Sequence, residues 1–272
     1  MVELLSPATL LDLRTLAGTG RIIAGGTDLI VQMRSGRNET HLIDITNIED
    51  APPAAIIRSG VAELSAMASI TKVVDELNGR LPGIAAAAQV FASLQIRNRA
   101  TIGGNLANAS PAGDMIPPLV AAEAYAVVDG PSGQRRIPVD ELITGPGRTV
   151  LEPNEWLSLV GVPLFEGEEG FIKLGGRTAM AISIVSLAWR WHRSDHGALT
   201  GVRIALGAVA PTVVRAHKAE AILEGQQPTA DVVMAATDAL QTEISPIGDV
   251  RASAGYRQAV AGGLLRQALA TS

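Results

Sequence analysis

The chain predicts an α+β fold in three parts: a small N-terminal α/β part, a middle α+β part, and a C-terminal antiparallel sheet covered by helices. Three observations carry this. Short strand-like and helical runs alternate over residues 1–53, strand pairs interleave with helices over 54–165, and three long strand-like runs precede alanine-rich helices over 166–272. With 272 residues, 47% of them hydrophobic and 18% charged, the chain holds enough apolar material for two or three packed cores.

Taken in order, Leu4, Leu5, Leu10, Leu13 and Leu16 stand at near-helical spacing around Ser6-Pro7, a capping residue followed by one suited to the first helical position. A helix is expected within residues 3–18. Residues 21–24 predict a short buried strand running into Gly25-Gly26, residues 29–33 the helix beyond it, and residues 41–45 another strand. The glycine pair therefore falls at the carboxyl end of a strand, where amides are free to meet a ligand. Residues 56–58 and 63–65 read as paired strands around Ser59-Gly60, followed by helices near 71–77 and, rich in alanine, near 81–91. A second glycine pair at 103 and 104 precedes an apolar helix at 115–122. Strands at 124–128 and 135–138 flank Gly130-Pro131-Ser132-Gly133, and a closing strand covers 156–163. Residues 171–174, 183–192 and 201–209 predict a three-stranded antiparallel sheet with a tight turn at 194–197. Residues 216–224, 229–243 and 252–269 carry apolar positions three and four apart, as helices covering one sheet face do.

Composition removes several functions. The net charge is −5 and no Lys/Arg cluster forms a basic face, so nucleic acid is a poor partner. No run approaches the roughly 18 apolar residues of a membrane span, and no basic segment opens a signal peptide, so a cytoplasmic location is expected. Cysteine is absent, which excludes disulfides, thiolate metal sites, iron–sulfur clusters and a cysteine nucleophile within this chain. His41, His192, His196 and His217 lie far apart, so no metal site is expected, and no Ser, His and Asp set follows from spacing. Trp189 and Trp191 alternate in a strand and read as packing residues.

The chemistry lies in the two glycine pairs. Consecutive glycines allow positive φ, and successive amides can then converge on an anion. Gly25, Gly26, Thr27 and Asp28 on one side and Gly103, Gly104 and Asn105 on the other would together grip a diphosphate, with Thr27 and Asn105 adding side-chain donors. Plain turns and tight packing also use such pairs, and neither fits the Gly-x-Gly-x-x-Gly or Walker patterns. Asp114 reads equally as the N-cap of the helix that follows and as a ligand contact. An isolated Lys173 would read as a surface residue.

Ala24-Gly25-Gly26-Thr27-Asp28-Leu29 and the long run from Phe91 through Arg97-Asn98-Arg99-Ala100-Thr101-Ile102-Gly103-Gly104-Asn105 to Ser110-Pro111-Ala112-Gly113-Asp114 resemble the flavin-binding subunit of the molybdenum hydroxylases. This family includes the medium subunit of aerobic carbon monoxide dehydrogenase and the flavin domain of xanthine dehydrogenase. Gly145-Pro146-Gly147-Arg148-Thr149, Leu151-Glu152-Pro153-Asn154-Glu155 and residues 173–188 resemble its later segments, so the likeness covers almost the whole chain.

The resemblance implies an FAD-binding fold with the three-part layout above. It implies that Gly25, Gly26, Thr27, Gly103, Gly104 and Asn105 cradle the FAD diphosphate, with Ile22, Ile23, Ala24, Asp28 and Leu29 lining the first loop. Ser110 and Asp114 would meet the cofactor's polar middle or adenosine part. Phe91, Ala92, Ile96, Ala100 and Thr101 would pack around it, and Leu157 would contact it from the next strand. Lys173 matches a position near the pyrimidine end of the flavin, where a cation stabilises the charge that reduction creates.

By the same resemblance the chain would hold noncovalent FAD and pass electrons to an external acceptor. The molybdenum cofactor would sit on a large subunit and two [2Fe-2S] clusters on a small one, in a dimer of heterotrimers. Two other readings stay open at this point: a self-contained FAD-dependent reductase or oxidase of the same fold, and a nonredox binding or scaffold protein that kept the fold.

Overall fold

The N-terminal elements are β1 (Glu3–Leu5), α1 (Leu10–Leu16), β2 (Arg21–Ile23), α2 (Leu29–Arg34) and β3 (His41–Asp44), with the strands in a parallel sheet of order β1-β3-β2. The computed structural model describes residues 2–177 and 180–271; Met1, Thr178, Ala179 and Ser272 of the three segments lie outside the described residues. The helix expected within 3–18 is shorter than its leucines imply. Leu4 and Leu5 belong to a strand paired with Leu42 and Ile43. The helix starts after Thr9, whose hydroxyl accepts from the Asp12 amide while the Asp12 carboxylate accepts from the Thr9 amide. That reciprocal cap satisfies two orphan donors and outweighs Ser6-Pro7 as a start signal.

The middle elements run β4 (Ala55–Arg58), β5 (Val61–Ser65), α3 (Ile70–Leu77), α4 (Pro82–Val90), α5 (Leu94–Arg97), α6 (Ile102–Asn108), α7 (Ile116–Ala121), β6 (Tyr125–Gly130), β7 (Gly133–Pro138), α8 (Val139–Leu142), β8 (Ile143–Gly145), β9 (Arg148–Thr149) and β10 (Trp156–Pro163). Five strands form an antiparallel sheet of order β4-β5-β10-β6-β7, and β8 pairs with β9 alone. Trp156, at the start of β10, is buried among Leu13, Ile43, Ile45 and Ile48, so the N-terminal core closes on a residue of the middle sheet. Arg14 adds an ion pair to the buried Asp129 across the same seam, at 2.8 Å.

The last segment contributes β11 (Glu168–Gly175), β12 (Ser183–Arg193), β13 (Leu199–Gly207), β14 (Val214–Arg215), α9 (His217–Leu223), α10 (Ala230–Gln241) and α11 (Ala254–Thr271). The sheet has four strands in order β11-β12-β13-β14 rather than three, because two-residue β14 is too short to show a period in the sequence. Nor is it covered on one face only. Leu187, Ile204 and Leu206 pack under the terminal helices, while Phe171, Ala188 and Ala205 join the middle core. Burial on both faces explains why β12 is apolar almost without alternation. Within it Trp191 is fully buried and donates its indole N–H to Glu168 at 2.8 Å. The buried Arg190–Glu169 pair at 2.5 Å also reaches the carbonyls of Ala122 and Pro163, fastening the sheet to the middle part.

Candidate functional site

The loop leaving β2 and the start of α6 face each other across a cleft. Of the four glycines only Gly26 has positive φ, at 70°. Gly103 and Gly104 are not a turn. They lie in the first turn of α6, whose N-cap Thr101 is extended and accepts from the Gly104 amide at 2.8 Å. The expected second positive-φ concavity is thus a helix start, set by a capping threonine and the Ile102/Leu106 spacing.

Two of these glycines are required by close approach to backbone, and a third is not. A Cβ on Gly25 would fall 2.5 Å from the Arg99 carbonyl carbon and 3.0 Å from the Ala100 nitrogen. On Gly103 it would fall 2.6 Å from the Ala66 oxygen, which accepts from the Gly103 amide at 3.1 Å. On Gly104 it would meet only its own cap, the Thr101 hydroxyl, at 2.9 Å. Gly25 and Gly103 therefore set the spacing of the cleft walls, and Gly104 faces the cleft.

The cleft has two chambers. The smaller, about 90 Å³, is lined by residues 22–29 together with Phe91, Ala100, Thr101, Gly104 and Asn105. The larger, about 540 Å³, shares Ile22, Ala24, Thr101 and Gly104 and continues past Gly103, Trp156 and Leu157. The amides of Gly25, Gly26, Thr27 and Asp28 find no acceptor among the described residues. The Asn105 side-chain oxygen is enclosed without a donor. Burial pushes the Asp28 carboxyl above the usual carboxylate range.

The remaining predicted residues stand outside both chambers. Ala92 follows Phe91 with φ of 40°, a left-handed conformation held in part by Arg97, whose Nη1 donates to the Phe91 carbonyl at 2.8 Å. Ile96 lies on α5, partly exposed. The Ser110 hydroxyl accepts from the Ala112 amide at 3.3 Å. Asp114 is not the N-cap of α7, a position Met115 takes. Its carboxylate instead accepts from Lys173 Nζ at 2.5 Å and from the Ser183 hydroxyl at 2.6 Å. Lys173 is no surface lysine: its side chain is 5% exposed and also donates to the Val90 carbonyl, one residue before Phe91. Burial raises the Asp114 carboxyl pKa, outweighing the opposing pull of Lys173 and Ser183.

Sequence reasoning overlooked a polar tie between the walls. Arg37 Nη1 donates to Gln32 Oε1 at 2.7 Å, and Gln32 Nε2 donates to Asn108 Oδ1 at 2.9 Å. The signal was present in part, since Gln32 follows Asp28 by one helical turn and so faces the same side of α2. Arg21 was also passed over, although it immediately precedes the first loop.

Residues 1–165 match the FAD binding domain in molybdopterin dehydrogenase, and residues 171–272 match the CO dehydrogenase flavoprotein C-terminal domain. The carbon monoxide dehydrogenase medium chain of Hydrogenophaga pseudoflava is 33% identical over 264 residues, covering 93% of this chain and 89% of the relative. The xanthine dehydrogenase FAD-binding subunit of Escherichia coli O157:H7 is 29% identical over 243 residues, covering 87% and 83%. A solved structure of carbon monoxide dehydrogenase from Hydrogenophaga pseudoflava superposes with a TM-score of 0.92 at 32% identity, covering 98% of this chain and 95% of that one.

Proposed function

This chain belongs to the family of FAD-binding domains of molybdopterin dehydrogenases, and from that premise we propose that it is the electron-transfer subunit of a heteromeric molybdenum hydroxylase. In this reading it receives electrons from the iron–sulfur clusters of a partner subunit and delivers them, by way of FAD, to an external acceptor. One observation carries the reading: free loop amides and the open side of Gly104 converge on one cleft. FAD offers the matching groups, phosphate oxygens for the amides. The larger chamber alone falls within the usual size range of cofactor sites.

When bound, FAD supplies a carrier that takes up electrons singly and releases them as a pair. The work of this chain is to hold and orient it. Gly25, Gly26, Thr27 and Asp28 present amides to the diphosphate. Thr101 caps α6 so that Gly104 and Asn105 face the same group. Ile22, Ile23, Ala24, Leu29, Phe91, Ala100 and Leu157 form the apolar wall that excludes water. Gly103 sets the spacing. Ala92, Ile96 and Ser110 shape the segments around Phe91 and Asp114, and Asp114 with Lys173 keeps a buried charge pair directly behind that wall.

The further assignments rest on the same premise. The division at 1–53, 54–165 and 166–272 gives two FAD-binding parts and a C-terminal sheet with helices. A large molybdenum-cofactor subunit and a small [2Fe-2S] subunit complete a heterotrimer, which pairs into a dimer of heterotrimers. The lack of cysteine in this chain supports cluster ligation elsewhere. Among the described residues no helix is long and apolar enough to cross a membrane, and we assign the complex to the cytoplasm.

The test is gentle purification of a tagged chain from its native host, followed by absorption spectroscopy and identification of accompanying chains. Flavin bands together with two co-purifying chains, iron–sulfur absorption and molybdenum are expected. A yellow chain isolated alone, turning over with its own reductant and oxidant, would overturn the subunit reading in favour of a self-contained flavoenzyme.

A further inference from the structure

Two arginines outside the glycine motifs, Arg21 at the start of β2 and Arg37 after α2, line both chambers of the cleft. Their situations differ. The Arg37 guanidinium is engaged, with Nε on Glu39 Oε1 at 2.7 Å and Nη1 on Gln32 Oε1 at 2.7 Å. The Arg21 guanidinium has neither a hydrogen bond nor an ion pair among the described residues. Two carboxylates of the cleft are committed elsewhere, Glu39 to Arg37 and Glu155 to Arg135 at 2.8 Å, while Asp28 and Glu152 line the chambers with no ion pair to Arg21 among the described residues. His41 faces Glu3 at 3.3 Å. Arg21, an exposed residue of the cleft rim, is thus left without a direct anionic partner, drawn only toward a Glu39 that Arg37 already holds, in a cleft whose loop amides are also without partners.

We propose that Arg21 supplies the full positive charge that the glycine loops lack, binding the FAD diphosphate with its guanidinium fork while Arg37 is held beside it as a fixed second cation. The proposal rests on the FAD reading above and deepens it. Backbone amides offer partial charges, whereas a diphosphate carries formal negative charge. An arginine fork meets two phosphate oxygens at once, with stronger hydrogen bonds than neutral donors make. Partial burial and the like charge of Arg37 push the Arg21 pKa below its ordinary value against the opposing pull of Glu39, a cost an incoming anion would relieve. The Arg37–Gln32–Asn108 chain has a defined part here. It fixes Arg37 to both walls, so that the second charge stays in the cleft when no ligand is present.

The experiment uses the full chain stripped of flavin, titrated with FAD, ADP and riboflavin by fluorescence quenching and calorimetry. Arg21→Gln should weaken FAD and ADP together by roughly tenfold to a hundredfold, the usual worth of a charge-assisted hydrogen bond, and leave riboflavin unaffected. The loss should shrink as salt is raised. Arg21→Lys, which keeps the charge without the fork, should recover part of the ADP affinity. A wild-type chain that binds FAD while Arg21→Gln binds ADP equally well would overturn the assignment and leave the FAD reading standing. An equal loss of riboflavin and ADP would overturn it too, because a diphosphate contact cannot act on riboflavin. A wild-type chain that ignores FAD would overturn the FAD reading and this assignment with it.

Discussion

Gly25 and Gly104 look alike in the sequence and do different work in the fold, and two substitutions separate them. In Gly25→Ala the new methyl stands 2.5 Å from the Arg99 carbonyl carbon, about 1 Å inside ordinary contact, and its neighbours are backbone. Residues 99 and 100 lead directly into the cap of α6, so they cannot yield without moving the second wall. Such overpacking costs about 3 kcal/mol, which for a chain of this size lowers the melting temperature by roughly 5 °C. In Gly104→Val the only close neighbour is the Thr101 hydroxyl at 2.9 Å, and valine and glycine differ in helix propensity by only a few tenths of a kcal/mol. Stability should stay within about 1 kcal/mol of the parent, while the branched side chain fills the space facing the cofactor and FAD affinity falls at least about a hundredfold. The assay pairs thermal unfolding of the flavin-free chain by circular dichroism with FAD fluorescence quenching. Should Gly25→Ala melt with the parent, the wall-spacing argument fails; should Gly104→Val retain FAD, the cradle argument fails.

Three other outcomes are expected. Lys173→Met leaves Asp114 buried without its cation and should cost about 3–5 kcal/mol in urea unfolding, with the double variant carrying Asp114→Asn recovering a large part; additive losses would show that the pair is not coupled. Gln32→Leu cuts the Arg37–Asn108 tie and should weaken FAD by about two- to tenfold, read by the same fluorescence titration. Asp249, held ionised by the amide of Arg251, then the Arg257 guanidinium and the amide of Ala252, has its pKa far below the ordinary value of 3.8. A depressed carboxylate pKa stabilises the fold above that ordinary value and loses the contribution as pH falls below it. Unfolding free energy in Asp249→Asn should therefore decline less than the parent's on acidification below about pH 4, and parallel curves would refute the linkage.

Much of the fold could be read from spacing because strong periods and caps coincide, as at Thr229 before α10 and over β10, where apolar runs end at turn residues. The errors fell where nonlocal contacts decide. Leu4 is a strand residue only because Leu42 lies opposite it. The double burial of β12 depends on helices drawn from far earlier in the chain. At the cleft the motif residues were legible because glycine pairs and the flanking threonines are rare in that order. The Asp114–Lys173–Ser183 cluster was not, since its members are brought together by two separate segments and none carries a local signal for the others. Gly103 and Gly104 show the limit most plainly: the residues stood out, but their conformation was set by the capping hydroxyl of Thr101.

The meeting of Gly25 with the peptide of Arg99 and Ala100 also bears on the order in which the molecule assembles. A gap defined by two main-chain surfaces admits no rotamer that could widen or narrow it, so it acts as a gauge block between segments more than seventy positions apart in the chain. Such a junction cannot form early, because the loop entropy of joining distant segments must be met before any contact across it contributes. The nascent N-terminal unit would therefore wait, its β2 loop ungauged, until α6 has been made and capped. On that account a binding-competent pocket cannot appear before residues 102–108 have been made and capped, and capture of flavin by a shorter nascent chain is avoided by geometry alone.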